Sequence, residues 1–261
     1  MPNPLPREIV PGIFWLGKCL EVSYQGNPLH AYNSVYLVAG EECSMLVEGG
    51  HPQDLAAIEA QLDALLARGV PELRYLFTTH TEVPHSAGLG RMLERYPGTT
   101  AYGDLLDLHL VFPQHSDRLR PFDFGDSIDL GGTRFVAVES VIRDMPYTRW
   151  GYDTQRRVLF PGDGFAYSHY HADGHCGAFA EEAFSLDLPD MTALFAELAL
   201  YWTRFVDIDP YVRRLDALLD ELEVQLIAPT HGLPIGDLEA TLPAIRHGLR
   251  LGSLRKAGQG F

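Results

Sequence analysis

Two imidazoles and a carboxylate fall within the segment Thr79-His80-Thr81-Glu82-Val83-Pro84-His85, directly behind the apolar run Arg74-Tyr75-Leu76-Phe77. Histidine and glutamate at that spacing, placed at a strand end, can begin a metal site. Three more ligand-type residues have the same setting: Asp144, Asp163 in Gly162-Asp163, and His231 in Pro229-Thr230-His231-Gly232. Loops that leave strands hold side chains rigidly while exposing them in a cleft. Each residue alone has a plainer explanation. A single histidine at a strand end is usually a surface or capping group, and Gly-Asp is usually a turn. The combination carries the weight. Carboxylate and imidazole suit iron, manganese or zinc, and no cysteine is positioned to make this site soft.

A second histidine cluster, Ser168-His169-Tyr170-His171-Ala172-Asp173-Gly174-His175, follows Asp163. In a strand-like segment His169 and His171 share a face. There they would supply a further ligand or line a substrate pocket; an exposed polar loop explains them equally well. Tyr147, Trp150 and Tyr167 flank the ligand candidates in sequence and are read as a pocket wall, although aromatic residues at this density are more often core.

Those residues need a framework of strands. Ile9–Leu16 reads as two short strands around a turn, Ala31–Val38 and Cys43–Val47 as further strands, and Glu48-Gly49-Gly50 as a closing turn. Leu55, Ile58, Leu62, Leu65 and Leu66 recur with helical period up to a stop at Gly69. Strand Tyr75–Thr78 leads into the first motif, and Gly88–Tyr96 reads as the helix behind it. Thr99–Tyr102 is a short strand, and Leu105–Phe124 a helix followed by a long loop. Ser127–Leu130 and Thr133–Ser140 form a hairpin across Gly131-Gly132. Thr148–Tyr152 and Arg157–Phe160 are strands, Asp190–Leu222 is helical, and Gln225–Ala228 is the final strand. Two β-rich layers flanked by helices are consistent with a four-layer αβ/βα sandwich; composition alone does not choose it over other α/β folds.

The 261 residues are read as one domain spanning 1–261. A net charge of −15 repels phosphate backbones and anionic lipid, which argues against nucleic-acid or membrane partners. The basic stretch Arg246–Lys256 reads as a solvated helix face. No apolar run approaches the ~20 residues of a membrane span. The start Met-Pro-Asn-Pro is not a signal peptide, and Cys19, Cys43 and Cys176 are too few and too scattered for a disulfide framework. A reducing, cytoplasmic setting is expected.

His80-x-Glu82-x-Pro84-His85, the Gly-Asp at 163 and Pro229-Thr230-His231-Gly232 together resemble the metal motifs of the metallo-β-lactamase-fold superfamily. Its hydrolases usually carry His-x-His-x-Asp-His. Glutamate at the second position instead resembles the flavodiiron proteins and related oxygen-binding diiron proteins. The spacing of Asp144 and Asp163 is similar to that of the later two ligands in flavodiiron cores, and the resemblance runs from about Ile9 to about His247. It implies a metallo-β-lactamase-type sandwich of mixed sheets flanked by helices, with Asp163 bridging two irons. His80 and Glu82 would serve the first iron, His85 and His231 the second. No flavodoxin-like domain follows, so no flavin is expected in this chain. Electrons would come from a separate reductase or from the substrate, and a homodimer is expected.

Two positions depart from the family pattern. Pro84 replaces an aspartate that ligates the second metal, and Asp144 stands where a histidine is usual. A first set of His80, Glu82, Asp144 and Asp163 and a second of His85, His231 and Asp163 remain open. So do a mononuclear site and a fold kept without metal. The functions implied are, first, a non-haem iron protein that binds or activates dioxygen or nitric oxide, with oxidation of a small substrate as a variant. The second is a metal-dependent hydrolase of an ester, lactone or thioester, using zinc or manganese as readily as iron. The third is a metal-poor binding protein on the same fold.

Overall fold

The computed structural model describes residues 5–24, 27–169, 176–183 and 187–254. The chain begins with strands β1 (Arg7–Val10) and β2 (Ile13–Leu16), then a hairpin of β3 (Leu20–Tyr24) and β4 (Asn27–Ala31). Strands β5 (Val35–Ala39) and β6 (Ser44–Val47), helix α1 (Leu55–Ala67) and strand β7 (Leu73–Thr78) follow. Helices α2 (Val83–Ser86) and α3 (Leu89–Arg95), strand β8 (Thr100–Gly103), helix α4 (Leu108–Val111) and strand β9 (Leu119–Pro121) complete the first half. One mixed sheet has the order β1-β2-β5-β6-β7-β8-β9, antiparallel as far as β6 and parallel beyond it.

The second half contributes β10 (Ser127–Asp129), β11 (Arg134–Val138), β12 (Trp150–Asp153), β13 (Val158–Phe160) and β14 (Leu226–Ile227), paired in that order. Only β13–β14 is parallel in this sheet. Helices α5 (Leu188–Leu198), α6 (Asp209–Glu221) and α7 (Leu238–Leu254) belong to this half.

Alternation along β5 and β6 divides the interior. Leu37 and Leu46 join Ile58, Leu62 and Met92 in the core shared with α1 and α3. Tyr36, Val38, Met45 and Val47 join Phe135, Trp150 and Phe160 of the second sheet. Because strand side chains point alternately to opposite faces, one run of residues feeds both cores. Phe77, Phe135 and Phe160 are almost wholly buried, each stabilising the sandwich by about 1.5–3 kcal/mol. The layers are therefore helix, sheet, sheet, helix, as the sequence pattern suggested.

Two features go beyond the sequence pattern. The β3–β4 hairpin occupies a segment to which the pattern gives no element, and β9 lies inside the segment 105–124 read as helix and loop. Pro121 ends β9, at the edge of the sheet, where the missing N–H costs no ladder bond. The C-terminal basic stretch, as far as residue 254, is a helix face on which Arg250 stays exposed; its Arg246 and Arg250 also bond Asp216 and Asp209 of α6 at 2.7 Å. Gly248 of α7 lets the helix approach α5, since a Cβ there would lie 2.5 Å from Thr192 Cβ.

Candidate metal centre

Five strand ends converge on one site. Glu48 follows β6, His80 follows β7, Asp144 lies beyond β11, Asp163 beyond β13 and His231 beyond β14. Glu82 is the N-cap of α2 and Pro84 occupies its first turn, a position where the absent N–H has no helical partner to lose. What reads as a loop in the first motif is thus a helical turn, which brings His85 back beneath His80; their rings are 3.7 Å apart. Gly162, at φ +56°, lets Asp163 reach the same place, because a Cβ there would sit 2.8 Å from Thr79 Oγ1.

Each histidine is fixed by its Nδ1. His80 Nδ1 lies 3.1 Å from Thr79 Oγ1, His85 Nδ1 3.0 Å from Glu48 Oε1, and His231 Nδ1 2.9 Å from the Tyr32 carbonyl. With Nδ1–H donating to these acceptors, Nε2 keeps its lone pair. Those Nε2 atoms turn toward carboxylates. His80 Nε2 is 3.1 Å from Asp144 Oδ2, His85 Nε2 3.4 Å from Asp163 Oδ1, and His231 Nε2 3.7 Å from the same oxygen. His80 Nε2, His85 Nε2, Asp144 Oδ2 and Asp163 Oδ1 are all buried without a hydrogen-bond partner. Four such atoms facing one another suit a bound cation, since buried polar groups are otherwise paired.

Electrostatics point the same way. Burial pushes the Asp163 carboxyl well above its usual range, and the nearby Asp144, Glu48 and Glu82 add to the shift. Burial first, and then the His85 ring beside it, lower His80 to about 3. His85 and His231 are held neutral by burial as well. Glu82 is raised by burial and by Asp144. A cation would relieve the mutual repulsion of these acids and would find neutral imidazoles waiting.

Ligand atoms of His80, Glu82, Asp144 and Asp163 all lie within 4.8 Å of one another, as do those of His80, His85 and Asp163. Among the described residues His231 joins no such group. It sits at the edge, 5.4 Å from the His85 ring and against Phe195.

No protein-family model matches the chain. A coenzyme F420H2 oxidase from Methanothermobacter marburgensis is 25% identical over 241 residues, covering 87% of this chain and 57% of the relative. An anaerobic nitric oxide reductase flavorubredoxin from Aliivibrio fischeri is 26% identical over 214 residues, covering 77% of this chain and 39% of the relative. The chain thus spans about half the length of the curated relatives it matches. Among solved structures, the flavodiiron protein from Giardia intestinalis superposes with a TM-score of 0.76 at 16% identity, over 94% of this chain and 59% of that one. A metallo-β-lactamase from Pontibacter korlensis gives 0.57 at 14% identity, over 95% and 98%. At such identities the structures speak to fold alone.

The chain is a homologue of the flavodiiron core. It has the metallo-β-lactamase fold.

In this flavodiiron homologue the other sequence candidates have different fates. His169 is fully buried, stacked on Tyr32 at 5.4 Å and 7° and bridged through its backbone to His30. His171 lies outside the described residues. The pocket wall read from Tyr147 and Tyr167 does not form. Tyr147 is 54% exposed and borders a separate cavity with Asp104 and His109, while Tyr167 is core, its hydroxyl held by Leu233. Tyr167 is turned there by the close packing of its ring on Gly232.

Glu48 is the residue that sequence reasoning missed. In sequence it reads as part of a turn, yet it is buried, takes φ 72°, and anchors the whole motif. Its carboxylate accepts from Thr79 Oγ1 at 2.6 Å, Thr79 N at 3.2 Å, Thr230 Oγ1 at 3.0 Å and His85 Nδ1. Positive φ at a non-glycine marks a position held by its surroundings. The available signal was an acid at a strand end followed by two glycines, the same setting as the other four ligand candidates.

Proposed function

We propose that this flavodiiron homologue binds iron at the site built from His80, Glu82, Asp144 and Asp163 and uses it to reduce dioxygen or nitric oxide. The observation that carries this is the set of buried, unpartnered Nε2 and carboxylate oxygen atoms facing one another, with each histidine locked by its Nδ1. Three carboxylates and one imidazole form a hard, oxygen-rich donor set that suits iron or manganese better than a thiolate-selected ion. Bound iron would supply electrons and open coordination positions for a diatomic oxidant. The names of two relatives, an F420H2 oxidase and a nitric oxide reductase, support the same class of chemistry.

The protein's own residues define the rest. Asp163, between the two proposed sets, would bridge them. A second ion would rest on His85, His231 and Asp163, a looser set than the first. Glu82 is exposed at the mouth, so the site meets solvent on that side. A cavity of about 360 Å³ reaches Asp144 between Met145, Pro146, Tyr201, Trp202 and Tyr211. That pocket beside Asp144, mainly apolar but with Arg143 on its wall, has the character of a site for a small molecule. Electrons would arrive from a separate reductase. Three cysteines without disulfides suit a reducing cytoplasm, and no helix among the described residues is long and apolar enough to cross a membrane. Hydrolysis of an ester or lactone is the lesser reading, because Pro84 has no donor atom to orient a water at the second ion.

The test is to load the protein anaerobically with ferrous iron and mix it with dioxygen or nitric oxide. Rapid iron oxidation or nitrosyl absorption in the wild type, absent from Asp163→Ala, is expected. Unreactive, fully loaded wild type would rule out the redox function.

A further inference from the structure

A second group of ligand-type side chains lies apart from the acid-rich centre. Cys19, His30 and Cys176 bring one ligand atom each within 4.8 Å of the others. Cys19 Sγ is 3.0 Å from His30 Nδ1. All three residues are half-buried. In a tetrahedral zinc site the bond lengths imply sulfur–sulfur edges of ~3.8 Å and sulfur–nitrogen edges of ~3.5 Å. The observed cluster needs only small side-chain movement to meet them.

The backbone presents these residues from three directions. Cys19 immediately precedes β3, and His30 lies in β4, paired with Glu21. Cys176 comes from the distant segment after Asp163. It is held by its neighbour Gly177, whose N–H donates to the Tyr32 hydroxyl at 2.7 Å and whose carbonyl accepts from Arg7. The site joins two segments distant in sequence: the β3–β4 hairpin brings Cys19 and His30, and the chain after Asp163 brings Cys176.

We propose that Cys19, His30 and Cys176 form a second metal site, one that takes a zinc-type ion in a two-thiolate, one-imidazole set. Two thiolates neutralise a divalent charge, so the loaded site is neutral and suits a half-buried position. Its softness separates it from the carboxylate-rich centre. Without an ion Cys19 keeps its proton: burial pushes its thiol up to about 12, with the Cys176 sulfur beside it adding to the shift. Binding therefore releases protons. The ion would staple the β3–β4 hairpin to the segment carrying Cys176 and Gly177. Tyr32 ties the two sites together, since its hydroxyl holds Gly177 while its carbonyl holds His231. The proposal is independent of which metal fills the acid-rich centre.

The experiment compares wild type, Cys19→Ser, Cys176→Ser and Asp163→Ala, each purified full-length and checked by circular dichroism. Zinc content after dialysis and cobalt(II) absorption are the readouts. Wild type and Asp163→Ala are expected to show a near-ultraviolet thiolate-to-cobalt band, and both serine variants to lack it. Zinc affinity at this site should fall in the serine variants by more than the roughly 100-fold lost with an outer-shell partner. In wild type, zinc should also slow the reaction of the two thiols with a disulfide reagent, a readout that needs no variant. An absent cobalt band together with unprotected thiols overturns the site. So does an intact mass showing that, after reduction and removal of the reductant, Cys19 and Cys176 close to a disulfide in air as fast with zinc present as without it.

Discussion

Replacing Glu48 with glutamine changes one atom in the support beneath the ligands. The carboxylate faces two N–H donors on different oxygens: His85 Nδ1 at Oε1 and the Thr79 backbone N at Oε2. The hydroxyls of Thr79 and Thr230 can rotate to accept from an amide; the two N–H groups cannot. If the new NH₂ sits at the Oε2 position, the buried Thr79 N–H is orphaned, at about 1–3 kcal/mol. If it sits at Oε1, His85 escapes by moving its proton to Nε2, which removes the lone pair that faces Asp163. The metal-free variant takes the second route, and a metal must reverse it. The loss of metal affinity is then the ~1–3 kcal/mol of the Thr79 orphan, or roughly 5- to 150-fold. This agrees with the roughly 10- to 100-fold effect of losing an outer-shell partner. Folding stability should change less, because the desolvated carboxylate is removed along with its bonds: burial already pushes Glu48 above the ordinary carboxylate range. The assay is anaerobic chelator competition for ferrous iron, with urea unfolding of the metal-free protein alongside. Affinity within about a factor of two of wild type, with the fold intact, would refute the tautomer-setting role.

Three further outcomes test the site. Asp163→Ala and His80→Ala should each lower bound metal sharply, and His231→Ala less so, because only the first two belong to the groups within 4.8 Å; metal analysis after dialysis reads this directly, and an equal loss in all three would contradict it. Pro84→Asp places a carboxylate in the first turn of α2, favoured there by the helix dipole, and should raise metal content per chain; unchanged stoichiometry would show that the position does not face the second ion. Metal affinity should fall as pH falls. Asp163 and Glu82 are raised, so protons compete with the metal at these carboxylates in a range where free ones are ionised, while His80, lowered to about 3, offers little competition above that. A pH-independent affinity across the acid range would contradict the carboxylate-rich assignment.

The residue types and spacings of the first motif determined much on their own. His80, Glu82 and His85 at a strand end, with Asp163 and His231 at others, were legible because strand ends and glycine turns are local features. Alternation in β5 and β6 and the helical period of α1 were legible for the same reason. Tertiary structure decided what depends on distance between segments. Glu48 looks like a turn residue until β7 and β14 bring Thr79 and Thr230 to its oxygens. His231 resembles His80 and His85 in sequence, yet in space it stands outside the groups whose ligand atoms lie within 4.8 Å. Tyr147 and Tyr167, near the ligands in sequence, point elsewhere in space. Cys19 and Cys176, scattered in sequence, meet around His30. Local pattern sets the periodicity of a strand and the identity of a ligand; only packing of the two sheets sets which lone pairs face each other.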